Sequence, residues 1–176
     1  MKVMCISDIH GNIECLKKAI EQFKNENAEK LIILGDFSSY YFSSTDFEIA
    51  EILNNMANSI IAVKGNCDNF EIDGIFNFGL TYIRNITINN IKITLTHGHI
   101  YNRNNLPQEC GQIFLCGHTH VGSIEKIGDK IIANPGSISK PRGGSSRSYI
   151  IINEENIILK KLEGEAIKKL EISNKL

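Results

Sequence analysis

Two short apolar runs on either side of a longer amphipathic stretch restrict the fold of this chain more than any other sequence feature. The runs, Lys2 to Ile6 and Leu31 to Leu34, are bounded by polar turns and are too short for helices, so we predict two buried strands. In the stretch between them, apolar residues recur every three or four positions: Ile13, Leu16, Ala19, Ile20 and Phe23. This spacing predicts a helix that packs one face on a sheet, and therefore a β-α-β unit.

The β-α-β pattern is repeated once. A second helix is predicted from Asp46 to Ala57, with Thr45 and Glu48 in the spacing of a capping box, and it leads into the apolar run Ile60 to Val63. This alternation of strands and helices is typical of an α/β protein.

After residue 78 the pattern changes to alternating polar and apolar residues, which predicts strands. Tyr82 to Ile88 and Ile91 to Thr96 form a predicted hairpin around an Asn89-Asn90 turn. Five later strands are predicted: Ile113 to Cys116, Gly122 to Ile127, Lys130 to Ala133, Ser148 to Ile152 and Asn156 to Leu162. Two facing mixed sheets flanked by helices accommodate this order of elements. The final stretch, Glu165 to Leu176, supports only a short surface helix.

Composition narrows the class of protein. The 176 residues, 42% of them hydrophobic, are enough for one domain with a buried core. The net charge of -1 provides no global field that attracts nucleic acid or a membrane. The N-terminus turns polar too early for a signal peptide, and no apolar run approaches the roughly 20 residues that span a bilayer. With five cysteines and no CxxC spacing, we expect reduced thiols and a cytoplasmic location.

All five histidines fall in short polar segments just after predicted strands. The segments are Asp8-Ile9-His10, Gly35-Asp36, Gly65-Asn66-Cys67-Asp68, His97-Gly98-His99 and Gly117-His118-Thr119-His120. In a layered α/β fold, loops at the carboxyl ends of neighbouring strands converge on one rim, so we expect these segments to meet. Carboxylate, amide oxygen and imidazole favour a borderline divalent ion such as Mn, Fe, Co, Ni or Zn. Any one segment alone is explained as a structural turn.

In this order, the DxH, GD, GNCD, HGH and GHTH segments resemble the signature of the calcineurin-like metallophosphoesterases. A following Asn134-Pro135-Gly136-Ser137 and Ser139-Lys140-Pro141-Arg142 are similar to the small phosphodiesterases of the YfcE type. The resemblance implies a four-layer α/β/β/α sandwich with a dinuclear site at one end. It also implies a metallophosphoesterase domain over residues 1–163, which leaves 164–176 as a short C-terminal extension.

The resemblance also implies a ligand set for two divalent metal ions, of which Mn is the first expectation and Ni, Fe, Co and Zn are alternatives. Asp8, His10 and His120 are expected to bind the first ion, Asn66, His97 and His118 the second, and Asp36 both. A hydroxide that bridges the two ions is expected to attack phosphorus, because coordination lowers the pKa of water toward neutrality. The chain is therefore expected to hydrolyse a phosphate ester.

The residues expected to contact the substrate are less clearly defined by the resemblance than the metal ligands. Asp36, Asn66, Cys67 and His99 are the candidate catalytic residues, and Cys67 stands where many relatives have a histidine. Because a thiol is a poor proton donor to an alkoxide, we expect a preference for diesters or good leaving groups. Alternatively, Cys67 is only a small buried residue. His99 either contacts the substrate phosphate or packs, and Arg142 is either a phosphate clamp or a solvated surface charge.

Aromatic residues allow two interpretations. Tyr40, Tyr41 and Phe42 follow Asp36 and are expected to pack or to form a subunit contact, with stacking on a nucleotide base as the alternative. Phe70, Phe76 and Phe78 are expected in the core first and in an interface second.

Three functions remain open at this point. The first is a phosphodiesterase that acts on a small phosphate ester, with a nucleotide-like substrate as one alternative. It is expected to form no stable nucleic-acid complex and no membrane association, and a homo-oligomer is left open. The second is a phosphomonoesterase or nucleotidase of the same superfamily. The third is a non-catalytic protein-binding scaffold, because a retromer subunit shares this fold with a degraded metal site. In this sequence all seven expected ligand positions have a residue type that can bind a metal ion, which favours an enzyme over a scaffold.

Overall fold

In the computed structural model, which describes residues 1–39 and 41–172, the chain forms two facing β-sheets with eleven strands and two α-helices. The elements in chain order are β1 (Val3–Ile6), α1 (Ile13–Asn25), β2 (Lys30–Ile33), α2 (Ser44–Asn54), β3 (Ile60–Ala62), β4 (Ile83–Ile88), β5 (Ile91–Thr96), β6 (Ile113–Leu115), β7 (Ser123–Ile127), β8 (Lys130–Asn134), β9 (Ser148–Ile152), β10 (Asn156–Lys161) and β11 (Ala166–Glu171). Short 3-10 turns occupy Ala57–Ser59 and Phe70–Gly74. No helix in the described part has the length and apolar character needed to cross a membrane.

The first sheet has the strand order β11-β10-β9-β1-β2-β3. Strands β1, β2 and β3 are parallel, with Val3 opposite Lys30 and Leu31 opposite Ile60, whereas β9 runs antiparallel to β1. The two predicted β-α-β units are therefore confirmed. They place the carboxyl ends of three neighbouring strands at the same edge.

The second sheet has the order β4-β5-β6-β8-β7, in which β5, β6 and β8 are parallel. The predicted hairpin of β4 and β5 is confirmed, and its turn residues Asn89 and Asn90 have φ values of 51° and 63°. Two successive left-handed residues form the type of turn that matches the twist of a hairpin, and asparagine tolerates this conformation. The predicted pair of mixed sheets is thus confirmed.

A layer of buried apolar side chains, most of them aliphatic, lies between the two sheets. Cys5, Ile32 and Leu34 of the first sheet pack here against Ile93 and Leu115 of the second. Burial of each such large aliphatic side chain contributes about 1.5–3 kcal/mol, so this layer holds the sheets together.

The outer faces of the two sheets are covered differently. Leu16 of α1 and Leu53 of α2 pack on the outer face of the first sheet, whereas Phe114 on the second sheet is covered by Tyr101 and Leu106. The latter two belong to the segment 97–112, which contains no helix. The sandwich is confirmed, with an irregular segment as the outer layer of the second sheet.

Helix α2 begins earlier and ends earlier than predicted. The Ser43 backbone N–H and hydroxyl donate to the Asp46 carboxylate at 2.7 and 3.0 Å, so these residues form the capping box, and the assignment to Thr45 and Glu48 was wrong. The same spacing of three residues recurs two positions earlier, where the side chains lie beside the free backbone N–H groups. The helix ends at Asn54 instead of Ala57.

The predicted C-terminal helix was also wrong. Residues Ala166–Glu171 form β11, which pairs antiparallel with β10, and Leu170 and Ile172 contribute to the layer between the sheets. An isolated short helix is marginal in water, whereas the open edge of β10 offers backbone hydrogen bonds and a place to bury alternate side chains. Residues 173–176, the end of that prediction, lie outside the described part.

Candidate metal centre

The polar segments that follow the parallel strands of both sheets meet at one rim. The backbone N–H groups of Asp8 and His10 donate to the carbonyl oxygens of Gly35 and Asp36 at 3.1 and 2.9 Å. In the second sheet, the Gly117 N–H donates to the His97 carbonyl at 2.7 Å. The convergence expected for strand carboxyl ends therefore occurs, and the backbone itself ties the segments together.

Glycine at two positions permits the closest approach between segments. A Cβ atom added to Gly65 would lie 2.1 Å from the Asp36 carboxylate, and one added to Gly35 would lie 2.4 Å from the Gly65 nitrogen. Gly35 also has a φ of 89°, which side chains disfavour. Any larger residue at either position would force the Asp36 and Asn66 segments apart.

Five of the seven expected ligands have a left-handed backbone. Among the described non-glycine residues, positive φ occurs only at these five and at three asparagines: Asp8, His10, Asp36, His118, His120, Asn27, Asn89 and Asn90. This conformation costs an ordinary residue roughly 1–2 kcal/mol, and such strain persists where the surrounding structure holds it in place. The backbone at the rim is therefore strained, and contacts with neighbouring segments hold the ligand side chains in place.

Asp8, His10 and His120 form the first group of candidate ligands. The Nε2 atom of His120 lies 3.1 Å from both Asp8 Oδ1 and His10 Nε2, and His10 Nε2 lies 3.6 Å from Asp8 Oδ1. Two ligands of a single divalent ion, each about 2.0–2.2 Å from it, have separations of this size. The three side chains can therefore hold one ion.

Asp36, Asn66 and His97 form a second group. His97 Nε2 lies 3.0 Å from Asn66 Oδ1 and 3.4 Å from Asp36 Oδ2. Asp36 Oδ2 is also 3.6 Å from His10 Nε2, so this carboxylate oxygen lies between the two groups. Asp8 and Asp36 also share a ligand group with His97.

The ring orientation of two histidines is set by backbone carbonyls. His97 Nδ1 lies 2.7 Å from the Leu34 oxygen, and His120 Nδ1 lies 2.6 Å from the Lys140 oxygen. Because a carbonyl only accepts, both Nδ1 atoms carry hydrogen, and both Nε2 atoms are presented at the rim. Partners of this kind fix the tautomer of metal-binding histidines.

The acceptors at the rim need a cation. The Nε2 atom of His97 faces the acceptor oxygens of Asn66 and Asp36, and the buried Asp8 Oδ1 lies 3.1 Å from His120 Nε2, which carries a hydrogen only when that ring is protonated. Burial acts to raise the pKa of Asp8 and Asp36, but His10 and His120 beside Asp8 and His97 beside Asp36 lower both values. The pKa of His120 is raised, first by Asp8, and that of His97 is raised by Asp36 in spite of its burial. Either protons or a metal ion can satisfy this cluster of acceptor atoms, so the residues fit a divalent cation.

His118 is the most exposed of the expected imidazole ligands. Its ring centroid lies 5.1 Å from that of His97, and its backbone N–H donates to Asp8 Oδ2 at 3.2 Å. Burial, followed by the neighbouring His97, lowers its pKa, so a neutral ring is favoured. His118 is thus at the rim beside the second group.

Asp68 connects two of the segments and was not among the site residues chosen from sequence. Its buried carboxylate accepts backbone N–H groups from Asp36, Phe37 and Gly65, each at 2.8 Å, and from Ser38 at 3.3 Å. Burial raises the pKa of Asp68 to about 6, and the backbone donors offset part of that rise. From its position directly after Asn66-Cys67 it was expected to be a turn residue or to support the metal ligands, and these hydrogen bonds agree with the second role.

Cys67 lies inside the site. Its backbone N–H donates to Asp36 Oδ1 at 2.8 Å, and its sulfur is within 4.8 Å of candidate ligand atoms of His10 and Asp36. Burial, followed by the charge of Asp36, raises the pKa of the thiol to about 12. The metal-free site therefore keeps Cys67 as a thiol.

The two expected phosphate contacts have different neighbours among the ligands: His99 lies beside His118, and Arg142 lies beside His120. His99 packs edge-on to Tyr82 at 6.0 Å between ring centroids, is outside the three ligand groups, and has a pKa lowered first by burial. Arg142 is exposed, and its backbone N–H donates to the His120 carbonyl at 3.1 Å. Both side chains border the rim.

The aromatic residues divide into core and surface. Phe76 and Phe78 stack on each other and pack on Phe37, so their core assignment is confirmed, whereas Phe70 is 81% exposed. Phe42 packs against Phe47 at 5.1 Å, Tyr41 is 85% exposed, and Tyr40 lies outside the described residues.

A two-sheet α/β sandwich with carboxylate and imidazole groups clustered at the strand ends defines a metal-dependent hydrolase. Residues 1–156 match the calcineurin-like phosphoesterase superfamily domain, and the chain belongs to this superfamily. It is accordingly an enzyme, a metal-dependent phosphoric ester hydrolase.

Two curated relatives and one solved structure support this assignment, and a second solved structure shares the fold. The chain is 32% identical over 175 residues to phosphodiesterase YfcE of Escherichia coli K12, with 95% of each chain covered. It is 32% identical over 149 residues to phosphodiesterase MJ0936 of Methanocaldococcus jannaschii, covering 77% of this chain and 83% of that protein. The solved structure of the E. coli YfcE phosphoesterase superposes with a TM-score of 0.89, 30% identity, and coverage of 98% and 100%. A zinc complex of Entamoeba histolytica Vps29 has the same fold, with a TM-score of 0.72, 24% identity, and coverage of 98% and 100%.

Proposed function

We propose that this enzyme is a phosphodiesterase that hydrolyses small phosphate diesters with two divalent metal ions held at the rim. The observation that carries the proposal is the position of Asp36, whose Oδ2 lies 3.6 Å from His10 and 3.4 Å from His97. One carboxylate between two ligand groups is the arrangement that a two-metal site requires. When bound, the ions supply Lewis-acid charge for the phosphoryl oxygens and a water that is activated near neutral pH.

The proposed ligands follow from the two groups. Asp8, His10 and His120 hold the first ion, Asn66, His97 and His118 hold the second, and Asp36 contacts both. Mn²⁺ is the proposed resident ion, because carboxylate, amide oxygen and imidazole donors suit it.

The chain's own residues orient the reaction. The Leu34 and Lys140 carbonyls keep His97 and His120 in the tautomer that presents Nε2. The buried Asp8 and Asp36 remain ionised because the neighbouring imidazoles lower their pKa. Preorganised charge of this kind requires no rearrangement when the transition state forms.

The diester preference follows from Cys67. A thiol with a pKa of about 12 is a poor general acid near neutral pH, so a poor leaving group receives no efficient proton donor from this position. His99, beside His118, and Arg142, beside His120, are the proposed contacts for the phosphate oxygens. Arg142 offers a planar bidentate donor for this purpose.

The proposed compartment is the cytoplasm. All five cysteines are free, and four of them are buried: Cys5, Cys15, Cys67 and Cys116. A set of unpaired thiols is typical of a reducing compartment.

The test uses chelator-stripped protein reloaded with Mn²⁺. We expect release of nitrophenol from bis(p-nitrophenyl) phosphate, slower release from p-nitrophenyl phosphate, and turnover of thymidine 5'-p-nitrophenyl phosphate if the substrate is nucleotide-like. The variant Asp36→Asn should lose more than about 100-fold in kcat/KM, because it removes the shared ligand.

The matched control is Asp129→Asn, the same chemical change at an exposed turn residue between β7 and β8. It should keep full activity. Absence of turnover with both metal positions filled would overturn the enzyme mechanism and favour a scaffold, whereas a higher kcat/KM for the monoester would assign a phosphomonoesterase.

A further inference from the structure

The segment from Asn134 to Lys140, which begins at the last residue of β8, is hydrogen-bonded to the segments that carry Asp8, His118 and His120. It contributes no proposed metal ligand, yet Asn134, Ser137 and Ser139 are 4%, 0% and 6% exposed. Buried polar side chains must be hydrogen-bonded to be tolerated, so their partners indicate what they do.

Two serine hydroxyls of this segment converge on the backbone of Asp8. The Oγ atoms of Ser137 and Ser139 each donate to the Asp8 carbonyl at 2.8 Å. Ser137 Oγ also accepts the backbone N–H groups of Ser139 and Lys140 at 3.1 and 2.8 Å, which uses its full bonding capacity. Asp8 has a left-handed backbone with a φ of 58°, so these hydroxyls hold its carbonyl in a strained orientation.

Asn134 holds the segment that carries His118 and His120. Its side-chain amide donates to the Gly117 carbonyl at 2.7 Å and to Thr119 Oγ1 at 3.0 Å, while its Oδ1 accepts the Gly136 N–H at 2.8 Å. His118 and His120 both have a left-handed backbone. A single amide group therefore links the turn of Gly136 to the loop between these two histidines.

Lys140 completes the arrangement through its backbone. Its carbonyl accepts the Nδ1 hydrogen of His120 at 2.6 Å, while its own N–H is anchored on Ser137 Oγ at 2.8 Å. Ser137 thus connects the backbone of Asp8 with the residue that orients His120. Asp8 and His120 both belong to the first ligand group.

We infer that Asn134, Ser137 and Ser139 are positioning residues of the metal centre, which set its metal affinity by holding Asp8, His118 and His120 in their left-handed backbone conformations. This inference rests on the proposed metal centre. The chemistry is that of hydrogen-bonding partners behind metal ligands, whose removal typically weakens metal affinity by about 10–100-fold.

The test compares metal-free wild type with Ser137→Ala/Ser139→Ala by calorimetric titration with Mn²⁺ alone. We expect the double variant to bind Mn²⁺ about 10–100-fold more weakly. The visible spectrum of the Co²⁺-loaded protein should also change, because the ligand geometry has shifted. Ser139→Thr retains a hydroxyl and should recover most of the affinity lost in Ser139→Ala.

Ser148→Ala is the matched control. Ser148 is also a buried serine next to this segment, but its hydroxyl donates to the Pro135 carbonyl at 2.6 Å and not to a ligand residue. It should lower the unfolding temperature of the metal-free protein without weakening Mn²⁺ binding.

The outcomes separate the inference from the function on which it rests. Wild type that fails to bind Mn²⁺ contradicts the metal centre itself. Wild-type affinity in the double variant, or an equal loss in Ser148→Ala, overturns the positioning role alone. If the double variant does not fold, the pair Ser139→Ala and Ser139→Thr decides by the same measurement.

Discussion

The carboxylate of Asp68 accepts the backbone N–H of Asp36 at 2.8 Å. Asp68 is not a proposed metal ligand, yet it positions the backbone of Asp36, whose own carboxylate is proposed to contact both metal ions. The Asp68 carboxylate accepts three further backbone N–H groups from the segments on both sides. Asp68 therefore acts as a shared acceptor for the loops that follow β2 and β3.

Replacement of Asp68 by asparagine tests this arrangement. The amide group would present a donor to backbone donors and leave at least one buried N–H unsatisfied, so we expect a loss of about 1–3 kcal/mol in the free energy of unfolding. Urea denaturation of the metal-free protein measures it. Asp129→Asn should leave stability unchanged, and equal stability of the two variants would contradict the role of Asp68.

Replacement of Cys67 by histidine should broaden the range of leaving groups. An imidazole has a pKa near the working pH, so we expect the rate for an alkyl phosphate monoester to rise relative to that for bis(p-nitrophenyl) phosphate, within about 10²–10⁴-fold. The ratio of the two kcat/KM values is the measurement. Cys67→Ser, which keeps a small side chain and supplies no imidazole, should leave the ratio near the wild-type value. An unchanged ratio in the histidine variant would mean that Cys67 is only a small buried residue.

Metal binding and the stability of the metal-free protein should respond to pH in opposite directions. The raised pKa of His97 and His120 means that the folded metal-free protein retains protons above the usual histidine value of 6.5. The stability from these charged rings is complete below 6.5 and is lost as pH rises through the raised values. Mn²⁺ displaces the same protons, so its affinity should increase over that range.

Two measurements check this pair of trends. Urea denaturation of the metal-free protein at successive pH values should show stability falling above pH 6.5, and calorimetry in buffers of different ionisation enthalpy should detect proton release on Mn²⁺ binding. Binding without proton release would mean that the imidazoles are already neutral in the metal-free site.

A partly buried hydrogen-bond network away from the rim should affect stability alone. The Tyr149 hydroxyl donates to the Glu26 carboxylate at 3.0 Å, and Lys160 pairs with the same carboxylate beneath α1. Tyr149→Phe should lower the free energy of unfolding by about 0.5–1.5 kcal/mol, the usual value of one hydrogen bond. Because neither partner is at the rim, Mn²⁺ affinity should equal that of wild type, and a weaker affinity would reveal coupling between α1 and the metal centre.

Sequence patterns that extend over a few residues correctly predicted the helix and the hairpin whose conformation depends mainly on neighbouring residues. The stripe from Ile13 to Phe23 predicted α1, and the Asn89-Asn90 turn predicted the β4–β5 hairpin, because helix and strand periodicities are visible over a few residues. The C-terminal strand β11 was missed because its conformation depends on the edge of β10. In a stretch with weak periodicity, pairing with a neighbouring strand decides the secondary structure.

The sequence by itself determined which side chains meet at the rim, since Asp8, Asp36 and His97 each follow a parallel strand whose carboxyl end is fixed by chain direction. Only the tertiary structure decided how these side chains are held. Ser137 reaches Asp8 across 129 residues of sequence, and no periodicity encodes such a contact. Strained ligand backbones need hydrogen bonds from distant segments, and those partners come together only when both sheets have packed.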